Sequence, residues 1–232
     1  MIDDVVTAVA DWKARISNIA MYSDYYAGRH RIGQFATPAF RHSYEWILLN
    51  SRENLCKAVV KGFASKMVIK GWEATTAAES KTAGKLVDEL GLTRVFNLAH
   101  RESPRTGDSY VLVWPDATGA DRAWPKLSSQ FSVKTKPGDP DSLEWAAMLW
   151  VDAGGFGRVN LYYEDRLERY TTKGTLRAKS ASVTDPIDWP TKLSSYVTYN
   201  ADNQGEVIPH SYDRVPVVWF PWDADELGCH GR

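Results

Sequence analysis

Five histidines, His30, His42, His100, His210 and His230, are the side chains best suited to proton transfer or metal binding near neutral pH. Their spacing gives them no common site on one element. No two stand four apart, and no His-Glu-x-x-His run puts a pair on one helix face. Cys56 and Cys229 are too few and too separate for a thiolate metal site or a disulfide framework, which fits a reducing compartment. Hard cations prefer carboxylates, so Asp139-Pro140-Asp141 and Asp223-Ala224-Asp225-Glu226 are the candidate divalent sites, and a metal-dependent nuclease or hydrolase is one reading of them. Solvated turns have the same composition. Gly154-Gly155-Phe156-Gly157 is the glycine-rich candidate for a phosphate, but it precedes a strand pattern and lacks a Lys-Ser/Thr pair, so a hairpin turn is predicted. Ser109 stands in no Gly-x-Ser-x-Gly elbow and has no sequence-local base to activate it. Neither catalysis nor a cofactor or metal is expected from these residues.

Composition narrows the classes further. A chain of 232 residues can bury a sizeable core in one large or two small domains. With 28 basic and 29 acidic residues the formal charge is −1, so no global field draws the chain onto nucleic acid and a DNA-reading domain is disfavoured. A conduit that lets DNA pass without gripping it remains compatible with that balance. Ten Trp and 11 Tyr point to a sheet-rich core or to extensive interfaces, since these side chains carry large contact areas. Met1-Ile2-Asp3-Asp4 lacks the basic start and apolar block of a signal peptide, and no apolar run approaches the ~20 residues of a membrane span. Cytoplasmic synthesis is the expectation.

The elements that would position such residues fall into two halves. Ile2, Val5, Val9, Trp12, Ile16, Ile19, Tyr22 and Tyr26 recur at three and four, which predicts a helix stopped by Gly28. Residues 29–44 form a long loop with Gly33 and Pro38. A second helix from about Asn50 shares Cys56, Val59, Val60, Phe63 and Met67 on one face, with Arg52, Lys57, Lys61, Lys66 and Lys70 on the remainder. Residues 77–90 and 92–102 are two helical segments broken at Gly91, with Leu86, Leu90, Val95, Leu98 and Ala99 available for burial, and Pro104 and Gly107 end the region. From Asp108 the period shifts toward two. Strands are predicted at about 109–114, 130–134, 144–151, 158–163, 166–172, 194–199 and 215–220, with turns at 116–119, 137–140 and 152–155. Residues 173–192 are polar and are predicted to protrude as a loop. Pro216 and Pro221 limit the pairing of the last strand and place it near an edge or a crossover. Helices first and sheet second make this an α+β chain rather than a doubly wound parallel sheet, with 1–104 mainly helical and 105–222 mainly strands and loops.

Taken in order, several of these segments resemble the portal proteins of tailed bacteriophages, specifically the Gp6-like family. They are Tyr25-Tyr26-Ala27-Gly28-Arg29-His30 closing the first helix, the 54–71 helix with its Gly71-Trp72 exit, and Gly107-Asp108-Ser109-Tyr110-Val111-Leu112-Val113-Trp114. Leu161-Tyr162-Tyr163-Glu164-Asp165-Arg166-Leu167-Glu168-Arg169-Tyr170 and Val215-Pro216-Val217-Val218-Trp219-Phe220 complete the set. The resemblance covers nearly the whole chain through the order of its parts, none of which is diagnostic alone. It implies a structural protein without catalytic residues that assembles with copies of itself into a ring of about twelve at a capsid vertex. It further implies residence in the virion after assembly in the host cytoplasm, and a channel for double-stranded DNA during packaging and ejection. The implied partners are the major capsid protein, the terminase large subunit and a head-tail adaptor, with no membrane contact. Residues 1–222 would correspond to the wing, and 223–232 to a hinge toward a stem beyond Arg232. DNA-facing residues are not identified. A second reading, from the aromatic content alone, is a sugar- or peptide-binding module with an exposed Trp/Tyr platform on the strand-rich half.

Overall fold

The computed structural model describes residues 2–29, 37, 39, 54–176, 188–200 and 206–222. Helix α1 (Ile2–Tyr26) opens with Asp3 and Asp4, whose charges complement the helix N-terminus. It closes where Gly28, at φ +78°, turns the chain left-handed. The Gly28 N–H then donates to Tyr25 O (3.0 Å) and the Arg29 N–H to Asp24 O (2.8 Å), a paired cap that satisfies two terminal carbonyls. Most of the predicted stripe faces inward: Val5, Val9, Trp12 and Ile19 are in the core with Ala8 beside them and Ile16 is half-buried, whereas Tyr22 is exposed.

Helix α2 (Leu55–Ala64) begins later than predicted. Asn54 is its N-cap, accepting from Lys57 N (3.2 Å), while its own amide donates to Tyr26 O at the end of α1 (2.8 Å). Positions 50–53 lie outside the described residues, and Met67 follows the helix rather than belonging to it. Helix α3 (Ala77–Glu89) carries a capping box between Thr76 and Glu79. Gly91 (φ +60°) separates it from α4 (Leu92–Thr106), as predicted. Pro104 does not end that helix but sits inside its last turn. There its missing N–H forfeits one bond to His100 O, and Thr106 Oγ1 on Glu102 O (3.0 Å) with Gly107 N on Ser103 O (2.8 Å) closes the end instead.

The strand-rich half forms two antiparallel sheets. One has the order β2-β1-β9, from β1 (Asp108–Pro115), β2 (Asp121–Lys126) and β9 (Val217–Pro221). The other runs β3-β4-β5-β6-β7, from β3 (Phe131–Lys136), β4 (Asp139–Val151), β5 (Phe156–Tyr162), β6 (Arg166–Thr175) and β7 (Tyr196–Thr198), with β8 (Val207–Pro209) also pairing with β6. The chain is therefore α+β. As expected, the proline-flanked β9 is an edge strand. Strands β2 and β8 were not among those predicted. Asp-Arg-Ala-Trp-Pro-Lys shows no alternation, and β2 exists because the Asp116–Gly119 turn folds it back onto β1 in register, Leu112 opposite Trp124.

Three clusters fill the interior. Helix α1 covers the larger sheet through Val5, Val9 and Trp12 against Trp145, Leu149, Val159 and Leu161, joined by Trp189 and Tyr196. The two sheets meet through Tyr110, Leu112 and Val217 against Phe131, Val133 and Leu167. Helix α4 lays Val95 and Ala99 on Val111. Residues 173–192 depart from the predicted protruding loop at both ends: 173–175 belong to β6, and Trp189 is one of the most deeply buried side chains. Residues 30–36, 38 and 40–44 of the predicted long loop, and the predicted hinge 223–232, lie outside the described residues.

Candidate functional site

The residues with chemical potential gather around α1. Strand β1 starts with Asp108, whose side chain is almost wholly buried, and it meets Arg15 from α1 (Nη1 to Oδ2, 3.4 Å) and the Trp219 indole N–H from β9 (3.1 Å). The Tyr110 hydroxyl donates to the same carboxylate (3.4 Å). Arg15 also reaches Asp11, one turn earlier (3.0 Å), and Phe131 O at the start of β3 (2.8 Å). Ser132 Oγ donates to Asp11 (2.7 Å). Burial works against the Arg15 charge, yet Tyr110, Asp11 and Asp108 outweigh it and hold its pKa above the ordinary value. Burial, helped by Asp108, pushes the Tyr110 phenol well up, so it stays a neutral donor. A helix, two strands of one sheet and the edge of the other are thus joined around the Arg15–Asp108 pair.

A second joint lies toward the N-terminal end of α1. The Tyr163 hydroxyl donates to Asp4 (2.8 Å) and the Tyr170 hydroxyl to Glu168 (2.8 Å), which also receives Arg166 Nε (2.7 Å). Arg166 lies 4.5 Å over the Tyr163 ring. Burial and these carboxylates raise both phenols. In both joints every acid has a donor and every phenol an acceptor. These bonds fix the position of α1 against the strands.

The individual residues singled out in the sequence are dispersed. His100 Nδ1 lies 3.1 Å from Met67 O and His210 Nε2 3.1 Å from Tyr163 O, on opposite sides of the smaller sheet's neighbourhood, and each pairs with backbone. His30, His42, His230 and 223–226 lie outside the described residues. Asp139 accepts Asp141 N (3.2 Å) within the start of β4. Among the described residues, no group of three or more His, Cys, Asp or Glu side chains comes together to hold a metal ion. The Gly154–Gly157 run is the β4–β5 turn, with Gly155 N on Asp152 O (3.0 Å). Gly157 has a packing reason of its own: a Cβ there would stand 2.7 Å from Leu176 Cδ1 and 2.8 Å from Trp189 Cζ3. Ser109 is fully buried in β1 and Cys56 is a free, exposed thiol on α2.

What remains on the outside is apolar and aromatic. Helix α2 has no buried residue among those described: Leu55 is 65%, Val59 56% and Phe63 54% exposed, while Val60 of the predicted face is half-buried. Val68 and Trp72 extend it, and Phe63 meets the Trp222 ring edge-on (5.9 Å) while Trp72 leans on Phe96 (5.7 Å). On the strand side, Trp114, His210 and Tyr212 form a ring contact group, with Trp124 beside it donating to Trp114 O (3.3 Å). The Tyr212 hydroxyl, donating to Asp121 (2.5 Å), is pushed up to about 12 by burial and that carboxylate. The sequence marked the apolar character of α2 but not that the described residues leave Leu55, Val59 and Phe63 exposed, because periodicity reports a face and not what lies on it. No helix among the described residues is long and apolar enough to cross a membrane. No described protein family matches the chain, and neither does any curated protein.

Proposed function

We propose that this chain is a structural and interaction protein, the wing-containing part of a tailed-phage portal, with no catalytic residues of its own. Copies would associate head to tail through a heterologous interface that closes into a ring of about a dozen. The ring would give double-stranded DNA its passage and dock the capsid protein, the terminase and the head-tail adaptor. The observation that carries the reading is the α2 face left open among the described residues, a run of exposed Leu55, Val59, Phe63, Val68 and Trp72 beside a well-filled core. Exposed apolar patches of this kind mark surfaces that a partner covers. The fully paired interior joints around Arg15 and Glu168 favour a rigid building block over a catalytic centre.

Electron microscopy of assembled particles tests this. A ring at one capsid vertex containing this chain is the expected result, and its consistent location elsewhere in the particle sinks the reading. The aromatic group on the strand side favours a second reading, a sugar- or peptide-binding platform, because Trp124 and Trp114 present ring surface next to the polar Asp121 and His210. Glycan-array binding that is lost in Trp124→Ala would support that module instead.

A further inference from the structure

A cleft of about 460 Å³ opens between α3 and α4, with Val87 and Leu98 on its apolar side and Arg94, Asn97 and Arg101 along one face of α4. The spacing of three and then four places those polar side chains in a row. Arg94 and Arg101 are both exposed, and neither makes an ion pair among the described residues. Their planar forks suit carboxylate or phosphate equally. One feature chooses between these: the apolar side, with Val87 and Leu98, asks for a side chain such as leucine beside the acids.

We propose that this cleft docks an acidic, leucine-bearing segment of a second copy of the chain, namely Asp223-Ala224-Asp225-Glu226-Leu227. That stretch combines three carboxylates with a terminal leucine, the complement of two arginines beside Val87 and Leu98. The topology favours a second copy over the same one. Strand β1 runs back along α4, with Val111 on Val95 and Ala99, and β9 is antiparallel to β1, so β9 runs in the direction of α4. Trp222 N donates to Gly107 O (2.7 Å), which puts the chain's exit at the C-terminal end of α4. The cleft lies toward the other end of that helix, beside Gly91 and Thr93. The segment needs to reverse to reach its own cleft but not that of a neighbour. A tail-into-cleft contact is head to tail, so it gives the ring reading a specific contact and rests on that reading only in requiring a second copy.

The test uses the intact chain and a labelled synthetic peptide, Trp-Asp-Ala-Asp-Glu-Leu-Gly. The peptide is expected to bind the wild-type chain at least ten-fold more tightly than R94E/R101E, and a peptide with lysine at its three acidic positions is expected not to bind the wild type. Sedimentation of intact chains supplies the second arm. Self-association is expected to weaken at least ten-fold in R94E/R101E and in D223K/D225K/E226K alone, and to return when the two are mixed, because one mixed contact is native and the other has both charges reversed. Self-association or peptide binding indifferent to these changes, failure of mixing to restore it, or a short DNA duplex that displaces the peptide would each overturn the proposal. Rings that persist in particles carrying R94E/R101E would sink it and leave the ring reading standing. A chain located away from the vertex sinks the ring reading whatever the peptide does.

Discussion

Helices α1 and α2 carry the same sequence signal and have opposite fates. Each repeats apolar residues at three and four, yet Val5, Val9 and Trp12 disappear into the larger sheet while Leu55, Val59 and Phe63 face outward. The difference lies in their polar residues. Asp4, Asp11 and Arg15 of α1 each find a partner in the strand-rich half more than ninety residues away, at Tyr163, Ser132 and Asp108. Trp12 Nε1 adds another, on Ser129 O (2.7 Å). The α2 lysines Lys57 and Lys61 pair with nothing among the described residues. An apolar stripe tells that a face will be covered; the directional groups beside it tell by what.

The largest expected effect is therefore at the α1 joint. Arg15→Ala leaves the nearly inaccessible Asp108 carboxylate and Asp11 without their cation, and should cost about 3–5 kcal/mol by urea denaturation. A loss under about 1 kcal/mol would place α1 in the same class as α2 and break the comparison. Next comes the floor on which α1 rests. Gly157→Ala drives a methyl into Leu176 and Trp189, the latter tilted against Trp12 at 5.9 Å, and is expected to cost about 1–3 kcal/mol.

Much of this division was legible in the sequence, and its limits are instructive. The α1 stripe, its Gly28 stop, the Gly91 break and the helix-to-sheet change at Gly107 all follow from local periodicity and backbone freedom, and each stands where expected. Strand β2 was illegible because Asp-Arg-Ala-Trp-Pro-Lys has no pattern of its own and takes its conformation from β1. Trp189 was illegible for the opposite reason: a single aromatic in a polar stretch gives no period, and only the space above Gly157 makes it core. The interior network around Arg15 joins residues 11, 15, 108, 110, 132 and 219, and separations of that size leave no mark on a local window.

Smaller effects probe the lightly docked side. Asn54→Ala removes both the α2 cap and the bond to Tyr26 O, and is expected to cost about 1 kcal/mol, read as faster hydrogen exchange in α2 and the last turn of α1 with the α1 core unchanged. Phe63→Ala gives up one edge-on contact with Trp222 and should change the isolated chain by less than about 1 kcal/mol. The same substitution should weaken assembly measurably. If it destabilised the isolated chain as much as Arg15→Ala, α2 would be a core helix and its open face would need another explanation.

The smallest effect concerns how the two sides separate in acid. Asp116, in the β1–β2 turn, is held down at about 2 by the Thr118 hydroxyl first, then the Thr118 N–H and Arg122. Arg122 bridges that carboxylate (3.1 Å) to Glu89 O at the end of α3 (3.4 Å). The folded value lies below the unfolded one of about 4, so the stabilisation is complete above about pH 4 and is lost as the pH falls toward 2. The carboxylate stays in contact with solvent at the surface, which keeps the effect local and small. Between pH 4.5 and 2.5, amide exchange near Glu89 and Gly119 should accelerate more in the wild type than in Asp116→Asn, whose neutral side chain has no proton to gain. Equal acceleration in the two chains would show that acid loosens α3 by another route. A response in the variant that vanishes only at the α3 end would fix Arg122 as the clasp between the smaller sheet and the helical side. Its single guanidinium there does weakly, in solvent, what Arg15 does for α1 in the interior.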